Sequence, residues 1–141
     1  VLRGALNLGD RSKVGFGYYL GARTTSTRQL FGPYAVLGFT EHFFLLAELD
    51  FQALSAAGTT KFGPASYVRL DYEFIRGLHG YLTGEFSKTD PTKASAGAFG
   101  LGAQFFPRPH FEFRAEYTKR QDAMTSDRLA DYIWLMGHYY L

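Results

Sequence analysis

Apolar and charged residues alternate one by one along three stretches of this chain, and that period dictates strands. From Phe43 to Ala53 one side carries Phe43, Leu45, Ala47, Leu49 and Phe51, and the other Phe44, Leu46, Glu48, Asp50 and Gln52. From Ser66 to Phe74, Val68, Leu70 and Tyr72 oppose Tyr67, Arg69, Asp71 and Glu73. From Phe111 to Lys119, Phe111, Phe113, Ala115 and Tyr117 oppose Glu112, Arg114, Glu116 and Thr118. Successive side chains of a strand point to opposite faces, whereas a helix would scatter these charges around its circumference.

Weaker alternation marks further strands at Val14–Ala22, Gly80–Lys88 and Ser95–Phe105. Tyr34–Phe39, Leu2–Leu8 and Ile133–Leu141 complete the set, with the facing of Tyr34–Phe39 open. The aromatic content of 18%, with 14 Phe and 10 Tyr, suits pleated surfaces better than helices. Short links fall at residues 9–13, 40–42, 75–79 and 106–110, and longer polar links at 24–32, 55–63, 89–94 and 121–130. Pro33, Pro64, Pro91, Pro107 and Pro109 all fall at links or strand starts on this reading, where a missing N–H does little harm. Strands joined in sequence by short links pair as hairpins, so residues 1–141 read as one up-and-down β-barrel domain of 8–10 strands.

Composition removes several function classes. A net charge of +2 gives no bulk electrostatic case for nucleic acid. The absence of cysteine excludes disulfides, thiolate catalysis and thiolate-ligated metals. No apolar run approaches the ~18–20 residues of a membrane helix, and mean hydropathy is −0.15. Barrel strands escape that test, because alternation averages their apolar half away. No secretory signal is visible, as expected of a mature form or a fragment.

A meander of this size can be a soluble, lipocalin-like carrier with an apolar interior, or a membrane barrel with an apolar exterior. Charge placement favours the second. Lys13, Lys61, Lys88, Lys93 and Lys119 all sit in links or at strand ends, whereas a water-facing sheet carries Lys in mid-strand as well. The mid-strand charges are Glu48, Asp50, Arg69, Asp71, Glu73, Glu85, Glu112, Arg114 and Glu116, short acids mixed with Arg. These suit an enclosed polar lining, because unpaired buried charge is costly. Several strands reach the ~9–11 residues of a tilted membrane strand. Aromatics gather near the short links, among them Phe43, Phe44, Phe74, Tyr81, Phe105, Phe106, Phe111, Tyr139 and Tyr140, like an interfacial girdle.

With short turns on one side, longer loops on the other and a final strand ending at the terminus, the chain resembles bacterial outer-membrane β-barrels. Ile133, Leu135, Gly137, Tyr139 and Leu141 fit the lipid-facing alternation of such a last strand, although Leu141 stands where an aromatic residue is usual. The resemblance is to an architecture, and it implies an integral outer-membrane location with the short turns periplasmic and the long links extracellular. Nine strands then result where bacterial single-chain barrels use even numbers. Either a strand is missing upstream, making this the C-terminal part of a larger barrel, or Leu2–Leu8 is not part of an eight-stranded wall; the missing N-terminal piece is the favoured resolution.

The expected function is that of a small porin-like channel or a passive envelope scaffold, with no cofactor and no enzyme activity. The alternatives are a binding module whose outer loops contact lipopolysaccharide or an envelope protein, and the soluble carrier. Arg23, Arg28, Lys61, Lys88, Lys93, Lys119, Arg120 and Arg128 are candidate contacts to lipopolysaccharide phosphates at the outer rim. Acids outnumber arginines in the lining, so any conducting path is expected to favour cations. His42, His79, His110 and His138 gather at the opposite, periplasmic edge without metal-ligand spacing, and no His is left at the outer rim to activate a Ser. No metal site and no catalytic residues are expected.

Overall fold

A computed structural model describes residues 1–88, 94–121 and 129–140. Its strands are β1 (Leu2–Asn7), β2 (Lys13–Arg23), β3 (Ser26–Gly38), β4 (Phe43–Ala56), β5 (Thr59–Ile75), β6 (Leu78–Ser87), β7 (Ala96–Phe105), β8 (Phe111–Gln121) and β9 (Leu129–Tyr139). They form one nine-stranded sheet in chain order, every neighbouring pair antiparallel, and the described residues contain no helix. The architecture is all-β and up-and-down, as the alternation and the short links dictate.

Two of the expected long links are strand instead. β2 and β3 stay paired as far as Arg23 and Ser26, and β4 and β5 as far as Ala56 and Thr59. Only Thr24–Thr25 and Ala57–Gly58 remain as turns. Ala57 and Gly58 have φ of 49° and 76°, and two positive values match the twist of a two-residue hairpin turn. The Ser and Thr that resembled loop residues bond across this hairpin, with Ser55 Oγ 2.9 Å from Thr60 Oγ1. The expected links at 89–94 and 121–130 lie largely outside the described residues.

Pro33 and Pro64 are therefore mid-strand, which corrects their expected place at links. Pro33 lacks a donor, and the β3·β4 ladder is interrupted between Phe31 and Tyr34. At Gly32 the carbonyl oxygen of Leu49 occupies the space a Cβ would need, so only glycine permits this approach.

The sheet is sheared. Straight across it, Asn7 at the short-link end of β1 leads through Lys13, Val36, Leu46, Arg69, Thr83, Gly100 and Thr118 to Tyr132. β9 then continues seven residues further, to Tyr139, before reaching the short-link end. At ~3.3 Å per residue and ~4.8 Å between strands, that stagger tilts the strands by about 30°. Because every pair is antiparallel, β1 and β9 run in the same direction, and the sheet is open between them.

Register assigns the faces left open by the sequence. Tyr34 and Val36 lie with Glu48 and Leu46 on one face, and Ala35 and Leu37 on the other. On β9, Ile133, Leu135, Gly137 and Tyr139 share a face with Tyr117, Ala115, Phe113 and Phe111. Burial is inverted relative to a water-soluble sheet. On the apolar face Phe74 is 63% exposed, Phe99 56% and Leu101 55%, whereas on the opposite face Glu112 is 5% and Tyr81 2% exposed. Alongside Ala53 and Tyr81, the most buried described side chains are Gln52, Thr83, Glu112 and Thr118. The most buried part of this sheet is a polar network.

Candidate functional site

The network stands on the polar face of β5–β9, where cross-strand partners bring their side chains together. Asp71, Tyr81, Gly102, Glu116 and Trp134 are successive partners, as are Glu73, His79, Gln104, Arg114 and Met136. Tyr81 fills the centre. Its hydroxyl donates to Glu116 Oε2 at 2.8 Å and accepts from Arg114 Nε at 2.6 Å. Arg114 also pairs with Glu116, whose other oxygen accepts from Thr118 Oγ1 at 2.9 Å. The Arg69 guanidinium lies 3.9 Å and that of Arg114 5.1 Å from the Tyr81 ring centroid, so one ring contacts two cations. Tyr81 can lie there because its partner Gly102 has no side chain; a Cβ would overlap the phenol.

From that centre a continuous belt runs along the short-link end. Arg69 Nη2 donates to Asp71 Oδ2 at 2.5 Å and to Gln104 Oε1 at 2.8 Å. Asp71 Oδ1 stands 2.8 Å from His79 Nδ1. Glu73 lies between His79 at 3.9 Å and His42 at 3.5 Å, and accepts the Gly77 backbone N–H at 2.8 Å. In the other direction Gln104 Nε2 donates to Glu112 Oε1 at 2.7 Å. The second oxygen of Glu112 meets His138 Nδ1 at 3.4 Å and the Tyr140 hydroxyl. The bond to Glu112 pushes the Tyr140 phenol pKa up. Each carboxylate of the belt has a donor, so desolvation is offset by charge-assisted bonds.

The expected lining residues Arg69, Asp71, Glu73, Glu85, Glu112, Arg114 and Glu116 share this face with Glu48 and Asp50, but in two groups. Those at the short-link end belong to the belt. Glu48, Asp50 and Glu85 border a cavity of about 400 Å³ nearer the long-link end, with Tyr67, Ser87 and Arg120. There Arg120 pairs with Glu85 at 2.6 Å.

The candidate rim cations divide by face. Register puts Arg23, Arg28, Lys61 and Arg120 on the polar face, and Arg28 donates to Gln52 Oε1 at 2.8 Å. Lys119 is on the apolar face, 3.9 Å from Asp131, which also accepts from the Tyr117 hydroxyl at 2.5 Å. Lys88 follows β6, its backbone N–H donating to the Pro64 carbonyl at 2.8 Å. Lys93 and Arg128 lie outside the described residues, as does Leu141.

Tyr81, Gln104, His79 and Tyr140 were not recognised as network members. Tyr81 and Tyr140 read as girdle aromatics, yet Tyr81 is buried beside Glu116. The available signal was parity, since Tyr81, Thr83 and Glu85 occupy one side of β6. Among the described residues no group of three or more His, Asp and Glu is arranged to hold a metal, and no Ser or Thr hydroxyl bonds a histidine ring. The contacts of this site are ion pairs, hydrogen bonds and cation–π contacts. Searches of protein-family models, curated proteins and solved structures find no match to this chain.

Proposed function

We propose that this chain is an integral outer-membrane β-barrel protein whose apolar face meets lipid, and whose polar face lines a narrow interior that conducts small solutes. The observation carrying this reading is the inverted burial, with Phe99 at 56%, Leu101 at 55% and Phe113 at 54% exposure while Glu112 stands at 5% and Tyr81 at 2%. Half-burying a Leu or Phe is worth roughly 0.8–1.5 kcal/mol, so an aqueous sheet with this face bare forgoes that amount repeatedly. Acyl chains supply the missing cover.

Other features support the same reading. On β8 and β9 the apolar face runs from the Lys119–Asp131 pair to the Phe111–Tyr139 aromatic pair. Those eight steps along the strand rise about 26 Å, or some 23 Å at a tilt of about 30°, against a ~25 Å apolar band in membrane barrels. The tilt itself approaches the ~35–45° of closed barrels. In a bilayer the free edges of β1 and β9 must also be paired. Antiparallel order is kept if one further strand lies between them, running from the short-link end to the long-link end. The extracellular-loop reading retains Lys88 and Lys119 as the cations best placed for lipopolysaccharide phosphates.

Purification tests the proposal. The chain is expected to need detergent for solubility and to give small, discrete conductance steps in planar bilayers. A monodisperse species in plain buffer would overturn it.

A further inference from the structure

Taking the channel reading as its premise, we infer that the conducting path follows the β1–β3 wall and selects small anions, such as chloride, phosphate or carboxylates. Acids outnumber arginines on the whole polar face, but the structure separates those already engaged from those facing open space. On β5–β9, Asp71 pairs with Arg69, Glu116 with Arg114 and Glu85 with Arg120. Glu73 is held by His42, His79 and the Gly77 amide, and Glu112 by Gln104, His138 and Tyr140. The side chains of Asp71, Glu73, Glu112 and Glu116 are only 15%, 21%, 6% and 15% exposed. The short-link end of that half is filled and its acids are shielded from a passing ion, while Glu85, 42% exposed beside the cavity, is held by Arg120.

The β1–β3 half differs in size and sign. Its polar-face row at mid-height is Arg3, Gly17 and Gly32, and a Cβ at Gly17 would meet nothing within 4 Å. Gly17 leaves room beside Arg3 for a hydrated ion, whereas at Gly32 the Leu49 carbonyl already fills the space of a side chain. The charges along this wall are Arg23 and Arg28 at the long-link end, Arg3 midway and Lys13 at the short-link end, with no acid on the polar face of β1, β2 or β3. Arg3 is held in place with its guanidinium 4.0 Å from the Tyr34 ring centroid. Arg23 and Arg28 border a cavity of about 440 Å³ with Ser26 and Gln52, a mouth lined by donors. None of these four cations makes an ion pair among the described residues. The acids nearest the lane are Glu48 and Asp50 on β4, two against four. A polar lane of one predominant sign raises the local concentration of counter-ions.

Reversal potentials of the full chain in planar bilayers, under a potassium chloride gradient, test the inference. Chloride is expected to be preferred over potassium. The Arg3→Gln/Lys13→Gln variant should lower that preference by roughly threefold, and Glu48→Gln/Asp50→Asn should raise it. A cation preference in the unmodified chain overturns the inference and leaves the channel reading standing, and unchanged selectivity in both variants overturns the assigned path. Absence of any conductance overturns the channel reading, and this inference with it.

Discussion

Tyr81 and Gly102 face each other across β6 and β7, and the phenol occupies the space that a side chain at residue 102 would need. Gly102→Ala should therefore push the ring off its place between Arg69, Arg114 and Glu116. Overpacking of this kind costs about 1–3 kcal/mol. Urea unfolding of the reconstituted protein should show a lowered midpoint, whereas Gly84→Ala, on the apolar face with nothing within 4 Å of its Cβ, should leave the midpoint nearly unchanged. Equal effects at both positions would contradict the packing described.

Leu70 and Arg69 are neighbours on β5 that point to opposite faces. Leu70→Arg should block assembly, since Arg near the bilayer midplane costs about 2–4 kcal/mol. Arg69→Leu removes a partner of Asp71 and should be milder, because His79 still bonds that carboxylate. Assembly yield in lipid vesicles measures both, and the reverse ranking would be incompatible with the facing.

The Ala57–Gly58 turn holds a non-glycine residue at φ 49°. Asn tolerates that region better than Ala, so Ala57→Asn should stabilise the β4·β5 hairpin by about 0.5–1 kcal/mol. Gly58→Val should destabilise it by a comparable or larger amount. The two shifts in urea midpoint are expected to have opposite signs.

Lys88→Gln/Lys119→Gln should lower the lipopolysaccharide retained through purification by about half, as expected when phosphate-pairing cations are lost. Arg120→Gln should matter less, because Arg120 stands on the polar face beside Glu85, away from the face that Lys119 shares with the apolar side chains. Unchanged retention in the double variant would remove the rim contact.

The alternation of β4, β5 and β8 was legible because each places its charges on one side only. The outer halves of β3 and β5 were not, because Ser26, Thr27, Thr59 and Thr60 have the composition of a link although they pair in register. Pro33 and Pro64 reinforced that reading, yet the sheet accommodates both. That the acids and arginines share one face of the sheet was recognisable by parity. Their division into an engaged belt and an open lane was not, because it depends on which strands stand side by side: Arg69 reaches Gln104 on β7, and Gln104 reaches Glu112 on β8. Tyr81 was read as an interfacial ring because residue type alone does not separate a membrane girdle from the centre of an ion-paired network.

Nitroxide labels placed singly along β4 from Leu45 to Asp50, in the protein reconstituted in lipid vesicles, probe the facing of the sheet most directly. Oxygen, which partitions into acyl chains, should broaden the spectra at residues 45, 47 and 49, while a water-soluble nickel chelate should act at 46, 48 and 50. The opposite phase, with the chelate reaching 45, 47 and 49, would contradict the lipid-facing assignment.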